Sequence, residues 1–249
     1  VVLATGWRLR LARQLGMAAA AAAPTAYACS SIVQADLDVP RMMFALSPQV
    51  RTGYAWAFPL GQETYNVGCG SLGPQAADAA VNRRLPALFG RAFAPLRRAL
   101  EAGGAPVWAP LRCGLTGAAP VHDSRRVLAV GEVIGSTLPL SGAGIGTAMR
   151  SAELAAGRVQ DALAHDDLDR VAAFAADVDR ELLPLHRSYR RAQRWAVLHP
   201  ALHDFMARRY NHSTYLQAAF TGLLDGSRSP RDLFSLRAIL SALRPGPPR

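Results

Sequence analysis

The sequence predicts a mixed α/β (α+β) fold, on three observations. Apolar runs ending in glycine turns occur at Val1–Gly6 and again at Arg126–Glu132, each followed by a helical pattern. Between them, residues 27–115 contain short β-favouring segments punctuated by proline and glycine. After Asp166 the pattern is almost wholly helical. A chain of 249 residues with 50% hydrophobic content can bury a sizeable core, as one large domain or two small ones.

The elements follow in order. Val1–Leu3 reads as a strand entering the tight turn Ala4-Thr5-Gly6, and Arg8–Leu15 as a short basic helix. Residues 8–28, with their arginines and alanine run, imitate a signal peptide; the strand and glycine turn in front of them favour a folded reading. Tyr27–Val39, Met42–Leu46, Gly53–Phe58 and Tyr65–Val67 read as strands of an antiparallel sheet. Residues 76–102 carry apolar positions at three-to-four spacing, interrupted by Pro86 and Pro95 and ended by Gly103-Gly104. Val107-Trp108 and Leu111–Leu115 read as returning strands. Arg126–Glu132 is a buried strand, 135–144 a loop, and a helix starts at Gly144 or Ile145 and runs to Ala164. Helices at 168–197, 200–209, 213–224 and 230–243 complete the chain, with Asp166, Asp167 and Asp169 as helix caps.

Composition excludes several function classes. The net charge is +10, yet the chain contains no lysine, its basic residues are scattered arginines, and no strip of interleaved aromatic and basic residues is evident. Nucleic acid is therefore not an expected partner. Cys29, Cys69 and Cys113 are far apart in sequence and form no CxxC pair, so neither a disulfide framework nor a zinc site is expected, and a reducing cytoplasm is the simplest compartment. His199 and His203 stand four apart without a third ligand, so no metal is expected. No apolar run reaches the length of a membrane span.

Two segments carry chemistry. In the first, the strand ending at Gly131-Glu132 leads through Pro139 and Ser141 to Gly142-Ala143-Gly144-Ile145-Gly146 at a helix start. Small glycines let main-chain N–H groups approach a ligand, and the helix N-terminus adds partial positive charge. That suits a phosphate or the N1–C2=O edge of a flavin, with Glu132 available to ligand hydroxyls. In the second, Tyr54, Trp56 and Phe58 alternate along a strand and project from one face. Such a face is either an aromatic wall for an elongated apolar ligand or the core side of a sheet.

These segments together resemble the geranylgeranyl reductase family of FAD-dependent oxidoreductases, within the para-hydroxybenzoate hydroxylase type of flavoprotein. Gly131, Glu132, Gly135, Pro139, Ser141, Gly142, Gly144 and Ile145 fall where that family has its acidic-glycine and P-x-T/S-G-x-G-I positions; Ala143 replaces the usual acidic residue, and Val133 and Ile134 the usual small pair. Tyr54, Trp56, Phe58 and Pro59, with Gly68 and Gly70 beyond, match its Y/W-x-W-x-F-P and G-x-G stretch. Ala4-Thr5-Gly6 and Leu15-Gly16 match its turn beside the dinucleotide and the basic helix after it.

The resemblance implies an incomplete FAD-binding Rossmann-like domain from 1–26 and 116–165, an antiparallel-sheet substrate domain at 27–115 and a helical region at 166–249. No strand–GxGxxG–helix opens the chain, so the family comparison implies N-terminal truncation by roughly a hundred residues. It implies FAD held by Thr5, Gly6, Gly131, Glu132, Pro139, Gly142, Gly144 and Ile145, and a prenyl-type apolar substrate against Tyr54, Trp56 and Phe58. The activity implied is reduction of carbon–carbon double bonds of a polyprenyl group by hydride from reduced flavin, with NADPH or a ferredoxin as candidate electron donors. Peripheral membrane contact is compatible with such a substrate. The alternatives are a flavin-dependent monooxygenase or halogenase of the same fold, and a non-catalytic remnant that binds lipid or a partner. No acid–base residue and no oligomeric state is implied.

Overall fold

The computed structural model describes residues 1–17, 26–35, 42–45, 53–72, 108–115, 127–224 and 226–243. The helix expected at 76–102 lies outside them. The chain forms two compact units: Val1–Ala23, Cys113–Trp195 and Ala219–Ala238 make the first, and Pro24–Arg112, Ala196–Ala218 and Ile239–Arg249 the second.

In the first unit, β1 (Val2–Leu3) runs parallel to β7 (Leu128–Ala129), with Val2 opposite Leu128 and Leu3 opposite Ala129. The amides of Leu128 and Val130 donate to the carbonyls of Val1 and Leu3, both at 2.9 Å. The short basic helix is α1 (Arg10–Gln14), its buried side formed by Ala12. The expected strand at 126–132 is shorter than its apolar run suggests. Gly131 sits at φ +69°, outside the extended region, and a 3-10 turn occupies Gly131–Ile134.

Helix α2 (Ile145–Ala164) begins where the glycine pattern places it and buries Thr147, Ser151, Ala155 and Ala162, one helical stripe of small residues. It packs with Leu3, Val130, Ile134, Phe174 and Val178 into one core. A 3-10 turn (Leu168–Ala173) is capped by Asp167, whose side chain accepts from the Asp169 amide at 3.0 Å. Helix α3 (Phe174–Glu181) follows, then α4 (Leu183–Leu198). Asp177, 4% exposed, accepts from both Arg158 and Arg180 and ties α3 to α2. Its carboxyl is held below the usual range first by the Arg158 hydrogen bond.

The second unit holds a five-stranded sheet containing β2 (Ala26–Gln34), β3 (Met43–Ala45), β4 (Gly53–Gly61), β5 (Thr64–Leu72) and β6 (Ala109–Cys113), in the spatial order β3-β4-β5-β2-β6. The β2–β5, β3–β4 and β4–β5 pairs are antiparallel. The β4–β5 hairpin turns on Gln62 and Glu63, both at positive φ, the backbone that matches the twist of the flanking strands. Ala55, Ala57, Val67 and Cys69 are fully buried on one face. Cys29 lies directly opposite Cys69 in the ladder, so residues forty apart in sequence are neighbours; both thiols are free, and burial raises them to about 11 and about 12. Helices α5 (Pro200–Arg209) and α6 (Thr214–Leu224) follow α4, then α7 (Pro230–Leu233) and α8 (Leu236–Leu243). Arg209 Nε donates to the Ala242 carbonyl at 2.6 Å, and the Ser213 and Ser241 hydroxyls meet at 2.8 Å.

Candidate functional site

Parallel pairing of β1 with β7 sends both chain segments out at the same end of the strands. That end, the carboxyl side of a parallel sheet, is where α/β proteins bind ligands. The Thr5–Gly6 turn and the Gly131 turn both start there. Thr5 Oγ1 donates to the Arg8 carbonyl at 3.0 Å, and the Arg8 amide donates to the Thr5 carbonyl at 3.2 Å. Gly6 has φ +59° and open space where a Cβ would stand.

Gly131 is committed to packing. Its amide donates to Ser151 Oγ at 2.9 Å, and a Cβ there would lie 3.3 Å from that of Ala148. Glu132 braces the site. Its Oε1 accepts from the Gly114 amide at 2.7 Å and its Oε2 from the Thr137 hydroxyl. Burial raises its pKa, while these hydrogen bonds work in the opposite direction. Its charge adds to burial in holding Cys113 up at about 12. Gly114 also lies under Trp7: a Cβ there would be 2.5 Å from the indole. The expected ribityl acceptor is therefore already engaged by the protein, with further lone pairs left on each oxygen.

The loop that follows is tightly folded. Leu138 and Ala143 share an amide–carbonyl hydrogen bond of 2.8 Å, the Gly142 amide donates to the Leu138 carbonyl at 3.0 Å, and Pro139 is fully buried. From behind, His186 of α4 is fully buried and its Nε2 lies 2.8 Å from the Ser136 carbonyl. A carbonyl can only accept, so Nε2 carries the proton. Nδ1 of His186 and Oγ of Ser136 have no partner among the described residues, and burial lowers the histidine pKa.

At the loop's end the helix start is open. Gly144 is the N-cap of α2 and supplies no side-chain cap. The first-turn amides of a helix have no intrahelical acceptor and carry its positive end. Ile145 is 82% exposed, Met149 is 62% exposed, and nothing lies within 4 Å of a Cβ built at Gly146. Gly144 differs: its Cβ would stand 2.8 Å from Thr137 Oγ1, so packing alone accounts for that glycine. The residue at which a side chain would block approach without clashing is Gly146.

In the second unit the aromatic strand faces away from the fully buried alanines. Tyr54, Trp56 and Phe58 are partly buried while Ala55 and Ala57 between them are fully buried. The large side chains thus do not form the core side of this sheet. Phe44 on β3 joins them, with its ring centroid 5.7 Å from Tyr54 and 5.1 Å from Phe58. The Trp56 Nε1–H donates to Asn66 Oδ1 at 2.8 Å. Gly68 is required by this indole: a Cβ there would lie 2.1 Å from its ring. The face is an aromatic ridge beside a low strip containing Gly68 and Gly70.

Sequence reasoning missed Phe44, Asn66, Thr137 and His186. His186 was legible, since it shares a helical stripe with Tyr189 and Ala196. The other three are defined by partners that only the folded loop and the strand register bring to them: Glu132 for Thr137, Trp56 for Asn66, and Tyr54 and Phe58 for Phe44. Among the described residues no group of three or more metal-ligating side chains occurs.

No family model matches the chain. It is 27% identical over 255 residues to the digeranylgeranylglycerophospholipid reductase of Methanoculleus marisnigri, an alignment taking in 98% of this chain and 62% of that protein. It is 31% identical over 184 residues to the protein of the same name from Methanosphaerula palustris, covering 71% of this chain and 44% of that one. The chain thus spans less than two thirds of these relatives. Among solved structures, a geranylgeranyl bacteriochlorophyll reductase-like protein from Thermoplasma acidophilum superposes with a TM-score of 0.74 at 19% identity, over 96% of this chain and 61% of that one. The anhydrotetracycline hydroxylase OxyS from Streptomyces rimosus superposes with a TM-score of 0.54 at 16% identity, over 84% and 42%. These structural likenesses establish the flavoprotein fold. With the sequence relatives they place the molecule: over nearly its whole length the chain is similar to the geranylgeranyl reductases, a family of FAD-dependent oxidoreductases.

Proposed function

We propose that this chain supplies flavin-binding and substrate-binding parts of an FAD-dependent reductase of polyprenyl carbon–carbon double bonds. The observation that carries the reading is the uncapped, open start of α2 after the glycine loop, at the carboxyl end of a parallel strand pair. The residues fit a flavin. Ile145 and Gly146 leave the first-turn amides approachable, the helix end favours the charge that a reduced flavin carries, and Gly6 and Gly142 offer main chain free of side chains. Pro139 and the Leu138–Ala143 hydrogen bond hold the loop in shape. When bound, the flavin supplies the hydride that reduces an alkene.

The remaining roles fall to the protein. Thr5, Gly6, Gly131, Glu132, Pro139, Gly142, Gly144 and Ile145 form or support the cofactor site, with Gly131, Glu132 and Gly144 acting through the shape of the loop. Tyr54, Trp56 and Phe58, joined by Phe44, present broad apolar surface with few polar demands, which suits a prenyl chain. Residues 1–26 and 116–165 serve the cofactor and 27–115 the substrate. The relatives named as reductases of a digeranylgeranyl lipid support this choice of substrate class. The test is product analysis: the protein from its full reading frame, supplied with FAD and a chemical reductant under anaerobic conditions, is given a geranylgeranyl lipid. Mass spectrometry is expected to show hydrogen added to the chain. Unchanged lipid, or a product formed only with oxygen or halide, would reject the reading.

A further inference from the structure

The arginines of α2 to α4 and the turn between them divide into two populations. On and around α2 and α3 they are matched: Arg150 pairs with Glu153 and Glu181, Arg158 and Arg180 with Asp177, and Arg170 with Asp161. On α4 they are not. Arg187, Arg190, Arg191 and Arg194 are all exposed, and none makes an ion pair or hydrogen bond among the described residues. No acidic residue occurs between Glu181 and Asp204. At 100° per residue the four guanidinium stems share one face of the helix. The opposite face buries His186, Tyr189, Ala192 and Ala196. The basic face ends in two apolar residues, Val197 at 43% and Leu198 at 69% exposed.

We infer that this face of α4 docks the protein on an anionic phospholipid surface. Four unmatched like charges repel one another and are favoured where negative charge is dense. The exposed valine and leucine at the tip match the boundary between headgroups and acyl chains, which a basic helix with an apolar end reaches. Single-stranded nucleic acid would need aromatic platforms among the arginines. Of the aromatic residues on α4, Tyr189 is buried and Trp195 is packed against Phe234, with ring centroids 4.9 Å apart. No helix among the described residues is long and apolar enough to cross a membrane, so contact with a bilayer through these residues would be peripheral. The inference rests on the proposed lipid-borne substrate only for its purpose: docking would bring the enzyme to where a prenylated phospholipid resides.

The test needs neither flavin nor substrate, so its failure is distinct from failure of the proposed activity. The chain is sedimented with vesicles of phosphatidylcholine alone and with vesicles containing phosphatidylglycerol, at low and high salt. Binding is expected only to the anionic vesicles and to weaken with salt. Replacing Arg187, Arg190, Arg191 and Arg194 by Gln should weaken it by roughly fivefold per arginine, several-hundredfold together. Leu198→Ser should weaken it further at any salt concentration. A control with Arg10, Arg13, Arg208 and Arg231 changed to Gln removes equal charge from other exposed positions; it should lose much less. Circular dichroism confirms that each variant is folded. Equal losses in the two quadruple variants, equal binding to zwitterionic vesicles, or an oligonucleotide that displaces the protein from vesicles at matched phosphate concentration would overturn the inference.

Discussion

The two glycines at the start of α2 should respond in opposite ways to a side chain. At Gly146 nothing lies within 4 Å of a built Cβ, and the residue is helical. Gly146→Val therefore replaces the poorest ordinary helix former by a better one, a gain of about 0.4 kcal/mol. For a chain of this size that raises the melting temperature by about 1 °C. At Gly144 the Cβ would stand 2.8 Å from Thr137 Oγ1, which is buried and bonded to Glu132. Gly144→Val forces that contact apart, and such overpacking costs about 1–3 kcal/mol, or roughly 2–12 °C. FAD affinity should fall in both variants, for different reasons. At Gly146 the branched side chain screens first-turn amides; losing one hydrogen bond to a charged or polarised group costs about 1.5–3 kcal/mol, roughly tenfold to a hundredfold in affinity. The assay is flavin titration beside thermal melting, on protein expressed from its full reading frame. Unchanged FAD affinity in a stable Gly146→Val protein would mean that the flavin does not approach this helix start.

Three further outcomes follow from the geometry. Trp56→Ala should weaken a geranylgeranyl probe more than a geranyl one in calorimetric titration, because contact with the half-buried indole is worth roughly 1–2 kcal/mol to a chain that covers it; loss independent of chain length would assign the ridge to folding alone. The buried neutral His186 has a folded pKa below its ordinary 6.5, so its contribution to stability is complete above about pH 6.5 and is lost as pH falls through the lower folded value. Melting between pH 7 and pH 5 should therefore be steeper with pH for the parent than for His186→Gln, and identical slopes would show that another group titrates. Asp177→Asn leaves the Arg158 and Arg180 contacts without their counter-charge and should cost about 2–3 kcal/mol, less than a wholly buried pair because Arg158 is partly exposed; a melting temperature within 1 °C of the parent's would show that the pair contributes nothing.

Long helices and the glycine loop were legible because their signals are local. The start of α2 at Ile145 follows from a glycine run meeting a helical period, and α4 through α6 follow from apolar residues recurring every three to four positions. The Arg126–Glu132 strand was overextended because an apolar run does not reveal that Gly131 adopts φ +69°, a conformation read only with its Ser151 and Ala148 partners in place. Alternation placed Tyr54, Trp56 and Phe58 on one face but could not say which face was core. Deciding that needed the alanines between them, whose burial depends on packing beyond the strand. Cys29 and Cys69, Phe44 and Trp56, and Gly68 under the indole are products of strand register, which sequence spacing does not disclose. The arginines of α4 looked scattered in sequence because their common face is visible only at helical period.

What reoxidises the bound flavin decides between a prenyl reductase and an oxygen-using enzyme of the same fold. The measurement is anaerobic stopped-flow absorbance of the fully reduced protein mixed with a geranylgeranyl phospholipid, beside the same lipid with saturated chains. The unsaturated lipid is expected to restore the oxidised flavin spectrum in a single turnover, and the saturated lipid is not. A flavin that stays reduced with both lipids and is reoxidised only when oxygen is admitted would contradict the proposed activity.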